Sequence, residues 1–107
     1  MLPFAAASFA MAVELSVIQS AILVDAQQRS RAEAQEVRVV HSDAVTWSDG
    51  SLGCPEPGRM YTQALVKGYR IRVMAGGVVL EYHASRNGQW LYCPPGRIGE
   101  PAPDDAT

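Results

Sequence analysis

The chain has 107 residues, 48% of them apolar, and a formal net charge of −2. That length supports one domain rather than two independent cores, and the apolar content excludes a disordered polymer. No Lys/Arg block occurs anywhere in the chain, which argues against a nucleic-acid partner, because that affinity rests on clustered positive charge.

The chain opens on "MLPFAAASFAMA". Residues 1–11 read as an apolar leader or a helix extension, with small residues that suit cleavage near Ala10 or Ala12. Export signals carry a basic residue ahead of such a stretch, and here the first positive charge is Arg29. A true start at Met11 is a third reading. A membrane anchor reaching Val24 is disfavoured, since Glu14, Ser16 and Gln19 interrupt it.

Every glycine lies at or beyond Gly50, and every proline except Pro3 at or beyond Pro55. The strongest breakers of regular structure are thus absent from Phe4 to Asp49, where long elements can form. "AVELSVIQSAILVDAQQRS" predicts an amphipathic helix. Leu15, Ile18 and Ile22 form one stripe, flanked by Val17, Ala21 and Val24. Glu14 near its start and Arg29 and Arg31 near its end suit the helix dipole. "EVRVVHSDAVTW" predicts a strand whose alternation slips between His41 and Asp43, the mark of a bulge. After a loop, "MYTQALV" predicts a further β-rich run.

Two hairpin signals follow, Gly76-Gly77 and Asn87-Gly88. A two-residue turn at the first pairs Val73 with Leu80, Ile71 with Tyr82 and Arg72 with Glu81. Apolar residues then meet on one face and opposite charges on the other. The same turn at Asn87-Gly88 pairs Tyr82 with Cys93, His83 with Tyr92 and Ala84 with Leu91. Cys93 would share the core face, and Arg70, Arg72, Glu81, His83, Trp90 and Tyr92 the opposite one. The expected fold is α+β over residues 12–93, one N-terminal helix packed on an antiparallel meander of about four strands. Residues 94–107 read as a Pro-rich, disordered tail.

Cys54, in the loop, and Cys93, at the end of the last strand, are expected to form a disulfide that clamps the loop to the sheet. Closing a loop of that length stabilises by roughly 4 kcal/mol. Two buried thiols, or a metal or catalytic role, are the alternatives. A zinc site would need His41 and His83 beside the cysteines, but the expected register sends His83 to the opposite face from Cys93. Ser51 in "DGSLG" is no nucleophile elbow, since no strand-to-helix turn follows it. Asp49 and Glu56 could form an acid–base pair, but Asp-Gly is first a turn signal. Nothing in the sequence lowers the pKa of Cys54 to make a thiol site.

"CPEPG" is the stiffest stretch, because Pro55 and Pro57 hold their own φ and bias Cys54 and Glu56 to extended geometry. A pre-ordered loop suits recognition, since rigidity lowers the entropy cost of binding. The candidate binding loop is Asp49, Gly50, Ser51, Leu52, Gly53, Pro55, Glu56, Pro57 and Gly58. The candidate sheet-face patch is Arg70, Arg72, His83, Trp90 and Tyr92, types favoured at interfaces.

The motif set "VTWSDGSLGCPEPGRMYTQALVKGYRIRVM…YHA…LYC" resembles a family of small bacterial proteins without assigned function, over about Val37 to Cys93. The resemblance implies an exported protein, strengthens the disulfide expectation, and carries no catalytic residues. The chain departs from the family in having neither a basic signal region nor a lipobox cysteine near its start. More distantly, the helix-then-meander order is similar to PepSY-like and cystatin-like domains, some of which bind or inhibit proteases. That analogy concerns fold alone.

The expected function is binding of another protein, in an inhibitor-like way, without catalysis, cofactor or metal, in the periplasm or outside the cell. A cytoplasmic location is the alternative. A small-molecule or metal-binding module using the gap between helix and sheet is the runner-up function, and an enzyme the third.

Overall fold

The computed structural model describes residues 13–103. The expectations for residues 1–11 and for the last four residues lie outside that range. The element order is helix α1 (Leu15–Ser30), β1 (Val37–Trp47), β2 (Val66–Ala75), β3 (Val78–Ser85) and β4 (Trp90–Tyr92). The strands form one antiparallel sheet in the order β1-β2-β3-β4. The α+β expectation holds. No helix among the described residues is long and apolar enough to cross a membrane.

α1 buries Ile18, Ile22 and Ala26, an i, i+4, i+8 stripe that stays on one side of a helix. Each isoleucine removed from water contributes roughly 2 kcal/mol. The stripe packs on Ile71, Val73 and Ala75 of β2 and on Leu80, Tyr82 and Ala84 of β3. The flanks expected to widen it do not: Val17 and Val24 are 58% and 56% exposed, and Ala21 is exposed too. One helix on a four-stranded sheet needs only a narrow seam, so the outer valines face water. The helix ends at Arg31, whose left-handed backbone (φ 60°) turns its N–H back to the Gln27 carbonyl at 2.8 Å.

β1 carries the expected bulge, with the register shifting between Val39 and His41. Before it, Val37 and Val39 face the helix side with Ala75 and Val73. After it, Ser42 and Ala44 pair with Ile71 and Tyr69 on that side, and Trp47 passes to the opposite face. Without the extra residue, the side-chain period of two would leave Trp47 on the helix face.

The Gly76-Gly77 hairpin has the expected register, Val73 to Leu80, Arg72 to Glu81 and Ile71 to Tyr82. Both glycines take positive φ, 60° and 87°, as this tight turn requires. The second hairpin corrects the sequence reading by one residue. Tyr82 pairs with Tyr92, His83 with Leu91 and Ala84 with Trp90. Its connection is three residues, Arg86 to Gly88, closed by Ser85 N–H to the Gln89 carbonyl at 2.8 Å. Gly88 at φ 103° supplies the left-handed step that a three-residue hairpin places there.

Two further expectations are corrected. Met60 to Leu65 is not strand: it runs unpaired into β2, with Met60 94% exposed. The segment after Cys93 is not a free tail, at least to Pro103. It makes a short 3-10 turn at Pro95–Arg97. It then crosses the loop, donating from Gly99 N–H to the Gly53 carbonyl and from Ala102 N–H to the Thr46 carbonyl, each at 2.7 Å. Pro-rich composition limits helix and strand, but does not prevent packing where backbone donors find partners.

Candidate functional site

The corrected register gives the sheet a second packed face. Trp47, His83 and Cys93 all point away from α1, and Ser51 to Cys54 fold over them. Trp47, His83, Leu52, Cys54 and Cys93 are all nearly or wholly excluded from water. Cys54 and Cys93 form the expected disulfide. The geometric reason differs from the expectation, because Cys93 joins the loop-covered face rather than the helix-covered one.

Local chemistry shapes the loop. The Asp49 carboxylate accepts from Ser51 N–H at 2.8 Å and from the Ser51 hydroxyl at 2.6 Å, an Asx-type turn. Gly50 N–H donates to the Thr62 carbonyl at 2.9 Å and ties the two ends of the loop together. Leu52 and Gly53 both adopt positive φ, which lays the chain flat on the Trp47 indole. A Cβ on Gly53 would stand 2.4 Å from Trp47 Cζ3, so that position has no room for any side chain. Trp47 Nε1–H donates to the Ala84 carbonyl at 3.0 Å and stacks on the His83 ring at a centroid distance of 4.3 Å.

His83 is sealed in this layer. Its Nδ1 donates to the Leu52 carbonyl and its Nε2 meets Glu81 Oε2, both at 2.6 Å. Glu81 is also held by Arg72 Nε–H at 2.9 Å and lies 3.2 Å from Arg70 Nε, although that N–H is buried without a hydrogen bond. Burial pushes the Glu81 carboxyl up. The hydrogen bonds from His83 and Arg72 and the charge of Arg70 outweigh it, and hold the group below the usual carboxylate range. The pair resembles an acid–base dyad in composition only: neither ring nitrogen has an open side, so no outside substrate reaches it.

The sheet-face patch is therefore dispersed. His83 is wholly buried and Arg70 largely so, with Arg70 also bound to Glu100 of the chain end at 3.2 Å. Arg72 remains partly exposed. The one-residue slip carries Trp90 and Tyr92 to the helix side, where both rings meet Tyr82 edge-on. The Arg29 guanidinium lies 4.1 Å over Tyr92. On that side Tyr82 donates its hydroxyl to Asp25 at 2.6 Å. Burial, then the Asp25 contact, drive the Tyr82 pKa well above its ordinary value. The Asp25 carboxyl is lowered, because hydrogen bonds from Tyr82 and Arg29 overcome its burial.

The binding loop divides in two. Ser51, Leu52 and Cys54 are buried as its base, while Pro55, Glu56, Pro57 and Gly58 stand exposed as its tip. Arg97 braces the tip from below, donating to the Cys54 and Pro55 carbonyls at 3.2 Å each. Tyr61 hydroxyl accepts from Glu56 N–H at 3.0 Å, and Arg59 reaches Glu56 at 3.4 Å. Between tip and sheet edge lies a cleft of about 240 Å³. Ser51, Leu52, Glu56, Arg59 and Tyr61 line one side, Gln89, Trp90 and Leu91 the other, with Arg97 also part of it. The structure thus unites Trp90 with the loop and separates it from Arg70, Arg72 and His83. Arg59, Tyr61 and Arg97 escaped the sequence reading, since only the folded chain end brings Arg97 under Pro55. The Glu81–His83 contact was legible in principle, as residues two apart on a strand share a face.

The gap between helix and sheet is filled by Ile18, Ile22, Ile71, Val73 and Tyr82, none more than 2% exposed. No group of three His, Cys, Asp or Glu placed to hold a metal ion occurs among the described residues. A cavity of about 330 Å³ between the ends of β1 and β2 touches none of the expected site residues.

Helix, meander and clamped loop together define a small α+β domain with a disulfide-closed second layer. The chain belongs to the DUF8738 family, a domain of unknown function, which it matches over residues 19–93. That span begins inside α1 and ends on Cys93, so it takes in both cysteines and the whole loop. No curated protein and no solved structure matches the chain.

Proposed function

We propose that this domain is a non-enzymatic binding module that captures another protein with the tip Pro55–Gly58 and the cleft beside it. One observation carries the reading. The exposed tip stands on a base locked by the Cys54–Cys93 bond, by Gly53 seated on Trp47 and by Arg97 under Cys54 and Pro55. A loop held this way loses little conformational freedom on association, which favours affinity. The cleft adds a tyrosine and two arginines, residue types that dominate binding energy at interfaces. An inhibitor-like mode, in which a rigid tip enters a partner's groove, fits this shape. A disulfide at the base suits an oxidising compartment, periplasmic or extracellular.

Immobilised domain and its variants, each checked for an unchanged fold, would be exposed to envelope extract and the captured proteins compared. Pro55→Ala, Glu56→Ala and Tyr61→Ala are each expected to weaken capture of the same partner at least fivefold. Undiminished capture by all three sinks the proposal.

A further inference from the structure

Gln89, Trp90 and Leu91 all line the cleft, although consecutive strand residues point to opposite faces. The Trp90 ring turns to the helix side, so Trp90 meets the cleft through the backbone of β4. Hydrogen bonding fixes what the edge of that strand presents. Ser85 N–H donates to the Gln89 carbonyl and Cys93 N–H to the Glu81 carbonyl, each at 2.8 Å, with Leu91 opposite His83 between them. Residues 89, 91 and 93 thus turn their backbone groups toward β3. In an antiparallel ladder the intervening residues turn theirs away, so Trp90 and Tyr92 aim N–H and C=O outward. β4 is the last strand of the sheet, and among the described residues none bonds to those groups.

The charge beside this edge is lopsided. The charged groups lining the cleft are Arg59, Arg97 and Glu56, and Arg97 is already engaged, 3.8 Å from Glu56 and donating to the Cys54 and Pro55 carbonyls. Arg59 holds Glu56 only at 3.4 Å, and both side chains are about half exposed or more. Such a pair contributes little, so Arg59 can turn to an incoming carboxylate at small cost, in the bidentate geometry that arginine favours.

We infer that the cleft receives an extended segment of a partner protein, which adds to β4 as a fifth strand and sets an acidic side chain against Arg59. This deepens the proposed function and rests on it: the tip supplies rigid shape, and the strand edge supplies main-chain hydrogen bonds, the usual division of labour in strand addition.

The test uses the whole domain, 15N-labelled, and a blocked five-residue peptide alternating threonine and valine about a central glutamate. Binding is expected to slow hydrogen exchange at the Trp90 and Tyr92 amides at least tenfold and to shift the Arg59 side-chain signal. A lysine-centred peptide is expected to bind at least tenfold more weakly. Tyr92→Pro removes the ring together with an outward-facing N–H, and edge strands tolerate the loss of such an N–H. It should abolish binding, whereas Tyr92→Ala, which loses the same ring but keeps the N–H, should bind. Free-rate exchange at both amides under 10 mM peptide overturns the inference. So does equal binding by the two Tyr92 variants, equal binding of the two peptides, or protection of these amides by self-association without peptide. If partner capture falls with Pro55→Ala yet is equal for Tyr92→Pro and Tyr92→Ala, the loop reading stands and strand addition fails.

Discussion

Replacing both cysteines, Cys54→Ala with Cys93→Ala, perturbs the second layer at its only covalent point. The bond spans a sequence separation of 39 residues. Releasing a loop of that size restores unfolded-chain entropy equivalent to roughly 4 kcal/mol at 25 °C. Domains of this size are stable by about 5–15 kcal/mol, so the loss is a large share of the total. It corresponds to a fall in melting temperature of roughly 15–30 °C. Urea unfolding should be followed by tryptophan fluorescence, since Trp47 reports the loop-covered layer and Trp90 the helix side. Native-state hydrogen exchange adds the local view. Amides of Leu52 to Cys54 should lose more protection than those of Ile71 to Ala75, because the helix-covered core keeps its own packing. Unfolding free energies within about 1 kcal/mol of each other would refute the reasoning, as the bond would then constrain little in the unfolded chain.

Gly53→Ala should cost about 3 kcal/mol, from a Cβ driven into the Trp47 ring and a left-handed backbone that alanine resists; an unchanged urea midpoint would contradict it. Glu81→Gln leaves Arg70, Arg72 and His83 without their shared carboxylate in a buried layer, and should cost about 3 kcal/mol by urea unfolding. Stability should depend on pH at both ends of the scale. Asp25 and Glu81 are held below their ordinary values of 3.8 and 4.5, so their contributions are complete above those values and are lost as pH falls through the folded-state ones. Tyr82 is raised above its ordinary 10.0, so its contribution is complete below pH 10 and is lost as pH rises beyond it. Melting temperatures across pH 2–12 check both limbs, and Tyr82→Phe should flatten the alkaline one.

Much of the fold was legible, for reasons tied to particular residues. Gly76-Gly77 leaves the chain one tight turn, and the pairing of Val73 with Leu80 and Arg72 with Glu81 supports itself on both faces. The helix stripe was legible through Ile18 and Ile22, whereas Val17 and Val24 misled because apolar character does not reveal how wide a seam a sheet can cover. Asn87-Gly88 misled more seriously. Its dipeptide serves equally in a two-residue turn or, as here, in a three-residue connection with glycine in the left-handed step. The candidate loop was identified correctly as a disulfide-anchored feature, but half the cleft was not, since Arg97 enters it from a segment whose composition reads as tail.

By itself the sequence determined the α+β class, the order of its elements, the first hairpin's register and the bulge in β1. All of these follow from local spacing and turn chemistry. Tertiary structure alone decided which face of the sheet received Trp47, Trp90, Tyr92 and Cys93. Strand side chains alternate with a period of two, so the single extra residues in β1 and in the β3–β4 connection each exchange the faces of everything beyond them. Those two shifts, with the chain end folding back over Gly53, turned an expected exposed patch into a buried second layer with a cleft along its edge.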